Sequence, residues 1–179
     1  MRYEVRLSGS GGQGMILAGV ILAEAAAIYD EKNATQSQSY GPEARGGASK
    51  SEVIISDEDI FYPKATNIDL LLALTQEACD KYIGDLKDDG ILVIDTDRVL
   101  NPPKGNYRVV SLPITSIAQE KVGKVIVANI VALGVITALS GVVSESAIEN
   151  AVLARVPRGT EDLNRKALRA GIDAAKLVM

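Results

Sequence analysis

A glycine-rich segment near the start of the chain has the residue types and spacing of an anion-binding turn. Gly9, Gly11, Gly12, Gln13 and Gly14 follow a short alternating run and precede a long apolar stretch. This order predicts a strand, a tight turn and a helix. Glycine lets the backbone approach a ligand closely, and the helix start favours negative charge, so we predict that these residues contact a phosphate or nucleotide. A turn that needs glycine only for strand–helix packing is the alternative.

A second loop, residues 39–47, carries one aromatic ring, one carboxylate and one guanidinium. Arg45 has the fork geometry that binds phosphate or carboxylate in two places. Equally, Glu43 and Arg45 could pair with each other and fix the loop, and the sequence leaves both readings open. We expect this loop to lie near the first glycine turn, and we assign Tyr40, Glu43, Arg45, Gly46 and Gly47 to the candidate binding site.

The residue types that the chain lacks restrict its chemistry. It has no histidine and a single cysteine, Cys79. An iron–sulfur cluster normally takes four thiolates, and a zinc site or a nucleophile–base pair usually includes histidine. We therefore expect this chain alone to hold no metal or redox cofactor and to contribute no catalytic residue. Cys79 lies in a predicted helix, where we expect it to be a small core residue.

Charge and hydropathy exclude several classes of partner. The net charge is −4 with both signs scattered, and one Phe and no Trp are available for base stacking, so we expect no nucleic acid partner. The longest apolar run, 125–139, is too short to span a bilayer and is better explained by a buried helix. A strand begins within two residues of Met1, so we expect no signal peptide and no membrane partner. The sequence predicts a cytoplasmic protein.

Strands and helices alternate along most of the chain. We predict strands at 3–7, 34–39, 49–56, 60–62, 68–74, 91–94 and 107–111, and helices at 12–29, 76–84, 114–122, 125–139, 145–154 and 161–177. This pattern predicts an α/β fold with a mostly parallel, Rossmann-like sheet flanked by helices, in a single domain, 1–179, with a helical C-terminal third. The ligand edge would be the carboxyl ends of the strands, where the first glycine turn falls.

Local signals refine these elements. Thr75, Ser144 and Thr160 are predicted N-caps. The segment 88–90 predicts a turn before a strand, and Asn129, inside an apolar helix, needs a hydrogen-bond partner, for which a backbone group of a neighbouring loop is favoured over a ligand or another subunit. A polar group at 115–119 has no assignment from the sequence alone.

The spacing of acidic residues weakens a conventional NAD or FAD site. A dinucleotide-binding domain places an acid at the end of its second strand, about 20 residues after the glycines. Asp30 and Glu31 lie at that distance, but they follow the first helix and precede the second strand. We expect them to be solvated residues of a helix-to-strand loop.

Four segments together resemble the gamma subunit of 2-oxoacid:ferredoxin oxidoreductases. They are the glycine turn 9–14, the stretch Gln38–Gly47, the strand Ser51–Ser56 and the later Asn129–Gly134. The resemblance covers essentially the whole chain, and the second segment looks most like the 2-oxoglutarate-acting branch. The pyruvate, branched-chain oxoacid and indolepyruvate branches remain open.

The resemblance implies an oxidative decarboxylation in which a 2-oxoacid and coenzyme A give acyl-CoA, carbon dioxide and reduced ferredoxin. It implies alpha, beta and in some cases delta partner subunits, which carry thiamine diphosphate, magnesium and the iron–sulfur clusters, and an indirect link to ferredoxin. The gamma subunit would pack on the others near coenzyme A. The alternatives are a free-standing nucleotide-binding oxidoreductase and a purely structural interface subunit, and a homodimer of the isolated chain is also left open.

Overall fold

The computed structural model describes residues 1–39 and 47–179, which build one six-stranded sheet with helices on both faces. The strands are β1 (Arg2–Ser10), β2 (Asn33–Gln38), β3 (Ala48–Ser56), β4 (Ile68–Ala73), β5 (Leu86–Asp95) and β6 (Arg108–Leu112). The α-helices are α1 (Met15–Glu24), α2 (Gln76–Tyr82), α3 (Ile114–Ile117), α4 (Ala128–Ser140), α5 (Glu145–Arg155) and α6 (Glu161–Lys176). The π-helical segments Ala25–Tyr29 and Ala118–Val122 extend α1 and α3, and the 3-10 turns Ile83–Asp85 and Val125–Val127 follow α2 and precede α4.

The strand order is β2-β3-β1-β4-β5-β6, and β1, β4, β5 and β6 pair in parallel. Every residue of β4 is buried, as expected of a central parallel strand that is covered on both faces. Among the six described strands, β3 alone points in the opposite direction, because it pairs antiparallel with both β2 and β1. The predicted α/β fold with a mostly parallel sheet is therefore confirmed.

The two faces of the sheet are covered unequally. The larger core joins α1 and the helical C-terminal third to alternate residues of the strands, whereas in the smaller core α2 packs on the strand residues of the other face. Cys79 of α2 is buried in that smaller core, as predicted, and burial raises the pKa of its thiol to about 11.

The C-terminal helices pack at very short range. Helices α4 and α6 meet at Gly134 and Gly171, and a Cβ atom on either glycine would overlap the backbone of the other helix. Helix α4 is buried from Asn129 to Thr137, which explains why the sequence shows no polar stripe there. Gly141 ends this helix in the left-handed conformation.

Three local predictions are wrong. Residues 60–62 form no strand and belong to an exposed loop between β3 and β4. The predicted turn at 88–90 lies within β5, as a bulge where the register with β4 shifts, because the strand already begins at Leu86. Thr160 precedes α6, but its hydroxyl donates to the carbonyl of Pro157 and accepts no helix N–H.

Two predicted helix caps are confirmed. The hydroxyl of Thr75 accepts from the N–H of Ala78 at 3.2 Å, and that of Ser144 accepts from Ala147 at 3.1 Å, so both residues cap their helices. Among the described residues, the helices are all too short or too polar to cross a membrane.

Candidate functional site

The glycine turn lies between the carboxyl end of β1 and the start of α1, as predicted. Gln13 closes it from two sides, because its N–H donates to the Ser10 carbonyl at 3.2 Å and its side-chain oxygen accepts from the Ser10 N–H at 2.7 Å. A Cβ on Gly9 would collide with that oxygen. The described contacts of Gln13 and Gly9 thus shape the turn itself.

Gly14 connects the turn to the core. Its φ is 74°, in the left-handed region, and a Cβ there would lie 2.6 Å from Nδ2 of Asn129. That nitrogen donates to the Gly14 carbonyl at 3.4 Å, while Oδ1 of Asn129 accepts from the N–H of Ile130 at 2.9 Å. The prediction that Asn129 bonds a backbone group of a neighbouring loop is confirmed.

Gly11 and Gly12 are the exposed part of the turn. A Cβ on Gly12 would meet no atom within 4 Å in the described structure, and Gly12 has no positive φ. Neither packing nor backbone strain in the described residues therefore requires glycine at position 12. Gly14 is the N-cap of α1, and it has no side chain that could accept from the first N–H groups of this helix.

A cleft of about 280 Å³ lies beside the turn. Its lining comes from four places in the chain: the glycine turn, the loop after β5, the start of α3 and the approach to α4. The residues are Ser10, Gly12, Gln13, Arg98, Thr115, Val125, Ile126 and Ala128. The exposed guanidinium of Arg98 supplies a positive charge, and the N–H of Ala128, the first residue of α4, donates to the Val125 carbonyl. The cleft therefore combines the glycine turn, one cation and one exposed apolar wall at Ile126, a combination that suits an anion with an apolar portion.

Asp95 organises the far side of the cleft. This fully buried carboxylate ends β5 and accepts from the Thr115 hydroxyl at 2.5 Å, the Thr115 N–H at 3.3 Å and the Asp97 N–H at 3.1 Å. Burial raises the pKa of Asp95 above its ordinary value, and the Thr115 hydroxyl acts in the opposite direction. The Arg98 N–H donates to the Asp95 carbonyl at 3.1 Å. Asp95 thus holds both Thr115 and the backbone at Arg98 beside the glycine turn.

The same network accounts for Thr115 and Ser116 of the polar group at 115–119, which had no assignment from the sequence. Asp97 accepts from the Ser116 N–H at 2.7 Å and from its hydroxyl at 2.9 Å, which fixes the start of α3. Sequence reasoning missed Asp95 and Arg98 as contributors to the site. The available signal was an aspartate directly after an apolar strand, a position that falls on the ligand edge of a parallel sheet.

Four residues assigned to the second loop, namely Tyr40, Glu43, Arg45 and Gly46, lie outside the described residues. Gly47 lies within them and directly precedes Ala48, which pairs with Ser10 at the end of β1. On the other side of the loop, the Ser39 N–H donates to the Lys50 carbonyl at 3.0 Å. Both described flanks of the loop are therefore at the same sheet edge as the glycine turn.

Asp30 has a structural partner at the opposite edge of the sheet. Its carboxylate accepts from the Ser144 N–H at 2.7 Å and from the Ser144 hydroxyl at 2.8 Å, which ties the end of the first helix to the start of α5. Asp30 and Glu31 lie in the predicted helix-to-strand loop, where Glu31 is exposed and Asp30 is partly exposed, and the bonds of Asp30 to Ser144 add a contact that the sequence did not predict. Asp30, which lies at the spacing expected of a ribose-binding acid, therefore contacts another part of the fold and does not indicate a ribose site.

Taken together, the parallel sheet, the open glycine turn and the cationic cleft define a Rossmann-like α/β protein with an anion-compatible edge. Residues 4–174 match the pyruvate ferredoxin/flavodoxin oxidoreductase family, and the chain belongs to this family. It is 53% identical over 178 residues to the 2-oxoglutarate synthase subunit KorC of Methanocaldococcus jannaschii, with 98% of this chain and 95% of that protein covered.

Solved structures show the same fold. The gamma subunit of a keto/oxoacid ferredoxin oxidoreductase from Geobacter sulfurreducens PCA is 60% identical, with a TM-score of 0.90 over 98% of this chain and 99% of that one. A 2-oxoglutarate:ferredoxin oxidoreductase from Magnetococcus marinus, solved with 2-oxoglutarate, coenzyme A and succinyl-CoA bound, has a TM-score of 0.88 at 22% identity. The match covers 99% of this chain and 32% of that longer one, so this second likeness concerns the fold. The resemblance stated from the sequence is confirmed.

Proposed function

We propose that this chain is the gamma subunit of a heteromeric 2-oxoglutarate:ferredoxin oxidoreductase, with residues 1–179 forming a single gamma-type domain. The complex would convert 2-oxoglutarate and coenzyme A to succinyl-CoA and carbon dioxide while it reduces ferredoxin. The observation that carries this proposal is the 53% identity, over nearly the full length of both chains, to a 2-oxoglutarate synthase subunit.

The chain's own residues support a division of labour within that complex. It has no histidine and only one, buried, cysteine, and the described residues contain no cluster of three potential metal ligands. Thiamine diphosphate, magnesium and the iron–sulfur clusters therefore belong on alpha, beta or delta partners in this proposal, and those subunits pass electrons to ferredoxin. The isolated chain would be inactive.

The cleft beside the glycine turn is the part of this chain proposed to bind coenzyme A. Coenzyme A carries a diphosphate and a 3′-phosphate, and helix N-termini with a nearby arginine bind such groups. Arg98 lines the cleft, and a Cβ on Gly12, which also lines it, would meet no described atom within 4 Å. A cleft of about 280 Å³ is smaller than a whole coenzyme A needs, so the rest of the molecule would contact other subunits. Arg45 remains a predicted second phosphate ligand.

One experiment tests the assignment and the binding role separately. The tagged chain is purified with the neighbouring subunits from its own host, and the complex is assayed with several 2-oxoacids. We expect succinyl-CoA formation with 2-oxoglutarate to exceed turnover of the other 2-oxoacids. A stable solitary chain that turns over substrate unaided would overturn the subunit assignment.

The binding role is tested in the same complex with Arg98→Ala and Arg45→Ala, and with Arg158→Ala as a matched control on an exposed turn before α6. We expect a raised KM for coenzyme A in the first two variants, with the KM for 2-oxoglutarate unchanged. If all three variants keep the wild-type KM for coenzyme A, the two arginines have no phosphate role, and the glycine segments serve only the subunit interface.

A further inference from the structure

The loop between β3 and β4, residues 57–67, presents a cluster of exposed apolar side chains far from the cleft. Phe61 is 90% exposed and Tyr62 is 58% exposed. Phe61 is the only phenylalanine in the chain, so the fold leaves this large aromatic side chain in solvent rather than in either core. Adjacent exposed aromatic residues are typical of protein–protein contacts, where they act as anchors.

The second half of this loop is fixed in place. Glu4 is a buried residue, 4% exposed, and its carboxylate accepts from the backbone N–H groups of Thr66 at 3.2 Å and Asn67 at 2.8 Å. Arg2 donates to the same carboxylate at 3.0 Å and to the Lys64 carbonyl at 3.2 Å. A buried charged group thus holds the backbone that follows the aromatic pair.

The first half is anchored too. The N–H of Asp57 donates to the carbonyl of Met1 at 3.3 Å, and the Ser56 hydroxyl accepts from the N–H of Glu58 at 3.0 Å. Both ends of the loop are therefore held, and the exposed side chains in the middle start from a fixed backbone. Preorganisation of this kind lowers the entropy lost on binding.

The charge of the loop defines its partner. Asp57, Glu58 and Asp59 precede the aromatic pair and Lys64 follows it, so the segment has a formal charge of −2; the N-terminal ammonium lies 3.7 Å from Asp57, and Glu58 and Asp59 carry the remaining negative charge. An isologous dimer built on the loop would bring two acidic runs together, an unfavourable arrangement. A surface with Lys or Arg around an apolar pocket is complementary to it.

We propose that Phe61 and Tyr62 dock into an apolar pocket, rimmed by basic residues, on a catalytic partner subunit. This inference rests on the proposed function, because it takes that subunit to be a member of the same oxidoreductase complex. The loop lies at the amino ends of the parallel strands, and the glycine turn lies at their carboxyl ends. Docking through the loop therefore leaves the cleft open.

The test measures assembly of the full chain with its purified partner subunits. Phe61→Ala is compared with Leu100→Ala, which truncates another exposed side chain, 76% exposed, on a different loop. Because Phe61 makes no core contact, we expect both isolated variants to melt within about 1 °C of wild type. We expect Phe61→Ala to raise the Kd for the partner subunits at least about tenfold and Leu100→Ala to leave it unchanged.

The acidic run is tested with the triple variant Asp57→Asn, Glu58→Gln, Asp59→Asn. We expect slower association and a weaker dependence of the rate on salt than in wild type. A wild-type Kd for Phe61→Ala would overturn the inference while leaving the subunit assignment intact. Failure of the wild-type chain to assemble with any partner subunit would instead overturn the proposed function. A wild-type homodimer that Phe61→Ala dissociates would identify a second copy as the occupant and also overturn the inference.

Discussion

A substitution at Gly12 distinguishes two hypotheses for the glycine turn, namely that it binds a ligand or that it only allows the strand and helix to pack. A Cβ at this position meets no described atom within 4 Å, and the residue has no positive φ, so the described part of the fold does not need glycine there. We therefore expect Gly12→Asp to change the free energy of unfolding by no more than about 0.5 kcal/mol. Any larger effect on function would then come from the ligand and not from misfolding.

The expected effect on coenzyme A follows from the geometry of the cleft, which Gly12 lines. A new carboxylate about 6 Å from a diphosphate repels each of its two charges by about 0.7 kcal/mol, even at the dielectric constant of water. The sum, about 1.4 kcal/mol, corresponds to a tenfold loss of affinity, and partial exclusion of water would increase it. We expect the KM for coenzyme A in the assembled complex to rise at least tenfold.

The matched control is Gly84→Asp. Gly84 is also exposed, also lacks a positive φ and also has open space around its Cβ position, but it precedes β5 at the opposite edge of the sheet. Both variants add one negative charge to the chain, so a general charge effect would appear in both. Equal KM values for coenzyme A in the two variants would refute the reasoning, because the turn would then lie away from the ligand. The KM for 2-oxoglutarate serves as the internal reference in both.

Two further predictions concern the scaffold of the site. Gly171→Ala should lower the free energy of unfolding by about 1–3 kcal/mol, because the added Cβ would overlap the Val131 carbonyl. Urea denaturation measures this change, and the control variant Gly84→Ala should keep a free energy of unfolding near that of wild type. Asp95→Asn should cost about 1–3 kcal/mol, because an amide NH₂ in place of one carboxylate oxygen leaves a buried donor facing another donor. Folding raises the pKa of Asp95, so the folded state binds the proton more tightly than the unfolded state does. The free energy of unfolding of the wild type should therefore fall, relative to that of Asp95→Asn, as the pH rises from 3.8 through the higher folded pKa. A pH-independent difference in urea midpoint between these two chains would contradict that sign.

The sequence was sufficient for features that depend on neighbouring residues or on composition. The alternation of apolar strands and helices predicted the α/β class, and the run 68–74 predicted a buried central strand because all but one of its side chains are apolar. The glycines of the first turn predicted a strand–turn–helix unit, since their conformational freedom is a local property. The absence of histidine restricted the chemistry in the same way, because no fold can supply a side chain that the chain does not contain.

Local patterns misled where long-range contacts compete with them. The aspartates before Gly90 have turn propensity, yet pairing with β4 keeps the chain in a strand and turns the irregularity into a bulge. The segment around Phe61 has strand propensity, yet hydrogen bonds from its flanks to Glu4 hold it as a loop. Tertiary pairing overrides weak local preference because it satisfies more backbone groups at once.

The sequence by itself determined the fold class, the glycine turn and the family of this protein. Only the tertiary structure decided which distant residues share the site: it brought Arg98 and Thr115 to Gly12, across more than 80 positions of chain. The physical reason is that parallel strands put their carboxyl ends on one edge regardless of their separation in sequence. The buried carboxylate of Asp95 then holds Thr115 in place through a hydrogen bond, because a buried charge is costly unless it is hydrogen-bonded.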